Sequence, residues 1–121
     1  MYPAHRDAKS SLRWIIAHAD NYNINTDYIT VGGGSAGAII SIGLGASELG
    51  DYKDDISLSD DNTLSTTNLS QTYKVQTILD FWGSNTSIEI LELIYGHQRF
   101  DSNDPAIFIA HGTEDTTVPF S

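Results

Sequence analysis

A serine enclosed by glycines, between a strand pattern and a helix pattern, constrains this chain more than any other feature. The β-branched run Tyr28–Val31 leads into Gly33-Gly34-Ser35-Ala36-Gly37, and the apolar stretch Ala38–Ile42 follows. A strand, a G-x-S-x-G turn and a helix in this order are typical of a nucleophile elbow, in which the serine side chain projects above a sheet. The pattern therefore predicts a strand–turn–helix unit of an α/β fold.

The turn gives each of its residues a separate expected role. Ser35 is the candidate nucleophile. The elbow residues Gly33, Gly34 and Gly37 are expected to tolerate a strained backbone, and Gly33 and Gly37 to relieve crowding on either side of the serine. The backbone N–H of Ala36 is the candidate oxyanion donor, because it directly follows the nucleophile at the start of a helix.

The same residues allow a second interpretation. The segment Gly32–Gly37 also fits G-x-G-x-x-G, the dinucleotide-binding fingerprint. A Rossmann unit needs a second strand that ends in an acidic residue about 20 residues further on. Asp54 and Asp55 lie at that distance, but residues 50–61 contain no apolar strand to carry them. A Rossmann-type nucleotide-binding protein therefore stays an alternative with less support.

A second motif lies near the end of the sequence. The apolar run Ala106–Ala110 predicts a buried strand, and the segment His111–Pro119 follows it directly. Asp115 is therefore expected in a loop just past the carboxyl end of a strand, where a hydrolase of this kind needs an acid.

These segments resemble the α/β-hydrolase family, specifically its carboxylesterase and lipase-like members. The first match is the glycine-rich turn. The second is His111–Pro119, a segment that carries the triad acid in the family. The third is Ala8–Ile29, which is similar to the helix and connector before the elbow. The resemblance implies a partial α/β-hydrolase fold, three-layered, with a mostly parallel sheet of about three strands. It also implies a serine hydrolase that acts on carboxylic esters through a Ser-Asp-His triad, with Ser35 as nucleophile and Asp115 as acid. Asp80, near the end of the preceding strand pattern, is a competing acid, but the residues around Asp115 match the family better.

The histidine of the family has no counterpart in this sequence. The family's triad runs serine, acid, histidine along the chain, and no histidine follows Asp115. None of the four histidines is expected to serve as the base; they are His5, His18, His97 and His111. Residues 1–121 are therefore expected to be one partial hydrolase domain whose base and second oxyanion donor lie outside this chain. A catalytically silent, hydrolase-like fragment or binding module is the alternative.

Hydrophobic periodicity divides the rest of the chain into alternating helices and strands separated by one long polar segment. Residues 51–74 are rich in Asp, Ser, Thr and Asn and predict an excursion loop. Thr86 and Glu89 have the spacing of a capping box. The predicted elements are helices over 5–21, 35–49 and 86–95 and strands over 28–31, 75–81 and 106–110.

Charge and composition exclude several classes of function. The net charge is −10 with only six basic residues, which argues against nucleic acid as a partner and is compatible with an uncharged ester substrate. The absence of cysteine excludes a thiol nucleophile and a thiolate metal site, and no metal or other cofactor is expected. No apolar run approaches the roughly 18 residues of a membrane span, and residues 1–5 contain no signal-peptide pattern, so the sequence indicates no cellular location.

Two further expectations concern the edges and faces of the sheet. Phe81 and Trp82 end a strand pattern at the expected catalytic edge and are candidates to line an acyl pocket. Helices normally cover both faces of a parallel sheet. If one helical layer lies outside this chain, we expect self-association through the exposed sheet face or edges.

Overall fold

The computed structural model describes residues 2–52 and 67–120 and shows an α/β arrangement, as predicted. Residues 53–66, which form most of the predicted excursion loop, lie outside the described part. The described elements are α1 (Tyr2–Ala17), α2 (Ala19–Tyr22), β1 (Thr30–Gly34), α3 (Ala36–Ala46), β2 (Thr77–Phe81), α4 (Thr86–Tyr95) and β3 (Ala106–Ala110).

The three strands form one parallel sheet in the order β1-β2-β3. The register aligns Gly34 of β1 with Phe81 of β2 and Phe81 with Ala110 of β3. All three strands therefore end at the same edge of the sheet, and the three loops that follow them leave from that edge. This confirms the predicted α/β class and the parallel sheet of three strands.

Close contact with the sheet explains one of the glycines within α3. A side chain at Gly45 would collide with Ile78, which is fully buried on β2. The neighbouring Gly43 has a different partner, because a side chain there would collide with the ring of His5 on α1. Of these two glycines, only Gly45 therefore packs against the sheet.

The described residues supply two of the three expected layers: the sheet, and one layer of helices on one of its faces. Helix α3 lies against β1 and β2, and α1 and α4 pack against α3. The strand β3 stays open: Ile107, Phe108 and Ile109 are 38%, 57% and 57% exposed. None of the described helices is long and apolar enough to cross a membrane.

The N-terminal helical segment differs from the prediction, which gave a single helix over 5–21. His18 leaves the helical conformation, with φ −114° and ψ 16°, so the segment divides into α1 and α2. The side chain of His18 turns back and bonds the carbonyl oxygen of Trp14 through Nδ1 at 2.7 Å. Asn23, with φ 53°, then ends α2 in the left-handed conformation that asparagine tolerates.

Strand β1 runs later along the chain than its β-branched residues suggest, over Thr30–Gly34 instead of 28–31. The glycines join the strand because their backbones pair with β2 as far as Phe81. Helix α3 ends at Ala46 rather than near residue 49, since Ser47 is extended. The ammonium of Lys9 donates to the carbonyl oxygen of Glu48 at 2.5 Å and satisfies the chain just beyond the helix end.

Helix α4 has the predicted bounds but begins differently from the prediction. Asn85 occupies the N-cap position and makes no side-chain capping bond, while its carbonyl oxygen accepts from the amides of Ile88 and Glu89. The predicted capping box of Thr86 and Glu89 is therefore wrong. The Thr86 hydroxyl instead hydrogen-bonds the hydroxyl of Ser84.

Candidate active site

Ser35 joins β1 to α3 in a strained backbone conformation. Its φ is 53° and its ψ is −121°, a left-handed conformation that residues with side chains rarely adopt. Such a residue costs of order 1–3 kcal/mol and persists only where its surroundings hold it. One restraint is the hydrogen bond from the Ser35 amide to the carbonyl oxygen of Phe81, at 2.9 Å.

The Ser35 side chain does not cap the helix that it precedes. Serine is a preferred N-cap residue because its hydroxyl normally accepts from an amide in the first turn. Ser35 occupies the N-cap position of α3 without a side-chain capping bond, and the residue is exposed. The hydroxyl is therefore available at the sheet edge.

The glycines on either side of Ser35 differ in how they contact their surroundings. A Cβ on Gly33 would lie 2.6 Å from the carbonyl carbon of Gly37, so β1 and the start of α3 touch backbone to backbone. A Cβ on Gly37 would meet nothing within 4 Å. The expected steric need for glycine is thus present at Gly33 and absent at Gly37. A side chain at position 33 would point at the backbone of α3, whereas a side chain at position 37 would point into open space.

The first amides of α3 directly follow Ser35 in the chain. The opening amides of a helix have no intrahelical acceptor. Those of Ala38 and Ile39 are satisfied by the Ser35 carbonyl oxygen, at 3.0 and 3.1 Å. The amide of Ala36 donates to no acceptor in residues 2–52 or 67–120, and Ala36 is exposed. This amide can receive an oxygen that carries negative charge, which the helix N-terminus favours.

Asp115 lies in the loop after β3, where its carboxylate organises the backbone. Its Oδ1 accepts from the amides of Thr117 at 2.8 Å and Val118 at 3.0 Å. The hydrogen bonds from Val118 and Thr117 hold the pKa of Asp115 below its ordinary value. Its Oδ2 is 3.7 Å from Nε2 of His111, which donates to the Val118 carbonyl oxygen at 2.7 Å. Asp115 therefore stays ionised at neutral pH and keeps acceptor capacity on Oδ2.

The two candidate catalytic loops leave the sheet from β1 and β3, with β2 between them. Neighbouring strands lie about 4.8 Å apart, so the ends of β1 and β3 are separated by about 10 Å. The backbone of β2 ties both sides together at this edge. The Phe81 carbonyl oxygen accepts from Ser35, and the amide of Trp82 donates to the Ala110 carbonyl oxygen at 3.0 Å.

Asp80, the competing acid, has a clear structural task. It is buried, and its Oδ1 accepts from the amide of Gly83 at 2.7 Å. A side chain on Gly83 would lie 2.6 Å from both this oxygen and the Cβ of Ala38, so the turn after β2 fits closely against α3. The Asp80 carboxylate thus shapes the turn that carries Trp82.

The four histidines each have contacts elsewhere. His5 is buried and stacks on Tyr52, and His18 bonds the carbonyl oxygen of Trp14. His97 is exposed, with its two ring nitrogens 3.0 Å from the Tyr95 carbonyl oxygen and 3.2 Å from Glu48 Oε1. His111 belongs to the Asp115 loop. Among the described residues no histidine hydrogen-bonds Ser35, and no cluster of three His, Asp or Glu could hold a metal ion.

Phe81 and Trp82 lie on the same side of the sheet but contact different residues. Phe81 packs edge-on against Phe108, with ring centroids 6.3 Å apart, on the face of the sheet away from α3. Trp82 follows β2 with φ 45°, and its indole lies over Gly34. A cavity of 300 Å³ lies between β3, the Asp80 turn and Phe120, on the face of the sheet that α3 covers. Neither Phe81 nor Trp82 lines this cavity.

Comparison with known protein families decides the relationship that the turn and the fold suggest. The family model BD-FAE matches residues 1–97. The chain belongs to the BD-FAE family. BD-FAE is an esterase-like α/β-hydrolase family, which confirms the sequence resemblance at this level and favours a hydrolase over the dinucleotide-binding interpretation of Gly32–Gly37. No curated protein and no solved structure matches the chain.

The BD-FAE match covers Ser35 and its glycines but ends before β3 and Asp115. The sequence patterns also missed two features of the site. One is the left-handed conformation of Trp82, which no motif signals. The other is the Phe81 carbonyl oxygen as acceptor for Ser35, which depends on strand register and not on side-chain type.

Proposed function

We propose that this BD-FAE chain carries the nucleophile and the acid of a serine hydrolase that cleaves carboxylic esters. Ser35 is the nucleophile, the amide of Ala36 is an oxyanion donor, and Asp115 orients a histidine that residues 1–121 do not supply. The observation that carries the proposal is the backbone of Ser35, at φ 53°, with a hydroxyl that does not cap α3. Strain at an N-cap serine whose hydroxyl is left unused has a straightforward explanation if that hydroxyl reacts.

The reaction follows from these roles. The external imidazole removes the proton from Ser35 Oγ as this oxygen attacks the ester carbonyl carbon. The resulting oxyanion accepts from Ala36 N–H at the helix N-terminus. The imidazolium returns the proton to the departing alkoxide, which leaves as the alcohol, and an acyl-serine remains. Water, deprotonated by the same imidazole, then attacks the acyl carbon. The bond from this carbon to Oγ breaks, the carboxylic acid leaves, and the imidazolium returns its proton to Ser35 Oγ.

The ionised carboxylate of Asp115 suits the role of the acid. Because its Oδ1 is already bonded to Thr117 and Val118, the carboxylate has a fixed orientation, and Oδ2 can accept from an imidazole N–H. The lowered pKa keeps the charge that stabilises an imidazolium. Since none of the four described histidines bonds Ser35, we expect little or no ester turnover by this chain alone.

A catalytically silent, hydrolase-like module is the second candidate, and the same absence of a bonded histidine favours it. The two candidates differ in one property. A working nucleophile lacks only its base, and so free imidazole in the buffer should restore part of its reactivity. A silent module has a serine that stays unreactive with or without imidazole.

The experiment is fluorophosphonate labelling of the folded chain at increasing imidazole concentration, with the modified residue mapped by mass spectrometry. We expect labelling at Ser35 that accelerates with imidazole and is lost in Ser35→Ala. Asp115→Asn keeps a side-chain oxygen for Thr117 and Val118 but loses the charge, so the loop should stay intact while the acceleration by imidazole falls. Asp115→Ala, which also loses the loop bonds, is the matched comparison for structural damage.

Two results would reject the proposal. One is a chain that circular dichroism shows to be folded and that remains unlabelled at the highest imidazole concentration, as expected of the silent module. The other is labelling that persists unchanged in Ser35→Ala, which would put the reactive group elsewhere.

A further inference from the structure

Trp82 is an aromatic residue in a conformation that aromatic residues rarely adopt. It directly follows β2 with φ 45°. Bulky side chains are disfavoured in this left-handed region, and such a residue persists only where its surroundings hold it. Two contacts hold Trp82: its amide donates to the Ala110 carbonyl oxygen at 3.0 Å, and its indole rests on Gly34.

The indole depends on the missing side chain of Gly34. A Cβ there would lie 2.7 Å from Cζ2 of Trp82, so any other residue at position 34 would force the indole to shift. Gly34 immediately precedes Ser35, so the ring lies against the residue next to the proposed nucleophile. The ring of Phe81, 6.4 Å away between centroids, packs beside it on the same side of the sheet.

The indole nevertheless stays half open to solvent. Trp82 is 47% exposed, although it lies in the closely fitted turn between Asp80 and Gly83. A flat apolar surface therefore faces outward beside Ser35, on the side of the sheet away from α3.

We propose that Trp82 determines substrate specificity: its exposed indole forms an apolar wall beside Ser35, so the site prefers esters whose apolar group is larger than methyl. This inference rests on the proposed function of Ser35. An alkyl group of several carbons bound to the reacting centre can lie along the indole, whereas a methyl group is too short to reach it. The preference is therefore a difference between two substrates at one nucleophile and not a general gain in reactivity.

The test compares two fluorophosphonates that differ only in a methyl or a hexyl substituent, in the presence of imidazole. Trp82→Gly removes the indole, and glycine accepts the left-handed backbone without strain. We expect it to lower the ratio of hexyl to methyl labelling rates about tenfold, and Trp82→Phe to restore part of that ratio. Phe108→Ala, which removes another exposed ring from the same face, is the matched control and should leave the ratio unchanged.

Tryptophan emission gives a second readout that does not depend on rates. The chain has two tryptophans, so in Trp14→Phe all tryptophan emission comes from Trp82. A hexyl adduct on Ser35 should shift this emission to shorter wavelength and protect it from acrylamide quenching, whereas a methyl adduct should do neither.

The possible results separate this inference from the function on which it rests. Labelling of Ser35 by both reagents, with the same ratio in Trp82→Gly and no change in emission, would overturn the inference and leave the proposed function standing. Failure of both reagents to label Ser35 would overturn both. A lower ratio in Trp82→Gly, together with the emission change, would support the indole wall.

Discussion

Replacing Gly33 by alanine tests the backbone contact on which the geometry of Ser35 depends. The added Cβ would lie 2.6 Å from the carbonyl carbon of Gly37 and 2.9 Å from its Cα and oxygen. Carbon atoms pack best at about 3.5–4.0 Å. The start of α3 would therefore have to move by about 1 Å, since no side chain can rotate to make room.

The expected cost follows from the kind of atoms involved. Overpacking usually destabilises a protein by about 1–3 kcal/mol, and we expect the upper half of this range because both partners are backbone. Total stabilities are only about 5–15 kcal/mol, so the loss should be easy to measure. Ser35 lies between the two elements that would separate, and its reactivity toward fluorophosphonate should fall as well.

The matched control is Gly37→Ala, in the same motif. A Cβ at Gly37 meets nothing within 4 Å, and alanine is favoured over glycine inside a helix by up to about 1 kcal/mol. This variant should be as stable as the parent chain or more stable. Urea unfolding followed by circular dichroism gives both differences, as shifts of the midpoint at constant slope.

The predicted changes in stability of the two variants therefore have opposite signs, although the motif requires glycine at both positions. The reasoning would be refuted if Gly33→Ala were as stable as Gly37→Ala and its Ser35 were labelled at the parent rate. Equal losses in the two variants would also contradict it, because the structure gives Gly37 no neighbour to strike.

Three further predictions concern strain, buried charge and the open strand. Ser35→Gly should raise the free energy of unfolding by about 1 kcal/mol because it removes the left-handed strain, and it should abolish fluorophosphonate labelling at this position. A lower free energy of unfolding in urea denaturation would contradict this prediction. Asp51→Asn should cost about 3 kcal/mol because the guanidinium of Arg99, buried and doubly bonded to Asp51 at 2.8 and 2.9 Å, keeps only the exposed carboxylate of Glu48 at 3.5 Å. Adding Arg99→Met should recover part of that loss in a double-mutant cycle, and strictly additive losses would argue against the pair. Phe108→Lys should reduce self-association in sedimentation velocity, since it puts a charge on the exposed strand β3, and an unchanged distribution would exclude this surface.

The sequence predicted the elements whose signals are local. Helix α4 and strand β3 have the predicted bounds because each is a compact apolar pattern with breakers on both sides. Strand β1 was misplaced because its glycines have low strand propensity and extend only by pairing with β2. The break at His18 was missed because the apolar periodicity continues across it, and the break depends on a single backbone conformation.

The candidate site divides in the same way. Ser35 and Asp115 could be proposed from the sequence because each lies in a motif whose residues are adjacent in the chain. The different environments of Gly33 and Gly37 could not be found, because the motif records only that both are glycines. Their difference arises from the direction in which α3 leaves the strand, which brings the backbone of Gly37 over Gly33 and leaves the other side of Gly37 open.

The central strand shows why such a site needs more than its catalytic residues. Neither proposed catalytic side chain lies on β2, yet β2 and the residue directly after it hold both loops through backbone groups. The Phe81 carbonyl oxygen accepts from Ser35, and the Trp82 amide donates to the end of β3. Asp80 in turn shapes the Trp82 turn from inside the fold. The spacing of the strands therefore sets the separation of about 10 Å between the ends of β1 and β3. Side-chain substitutions on β2 should have a larger effect on which esters bind than on the positions of Ser35 and Asp115.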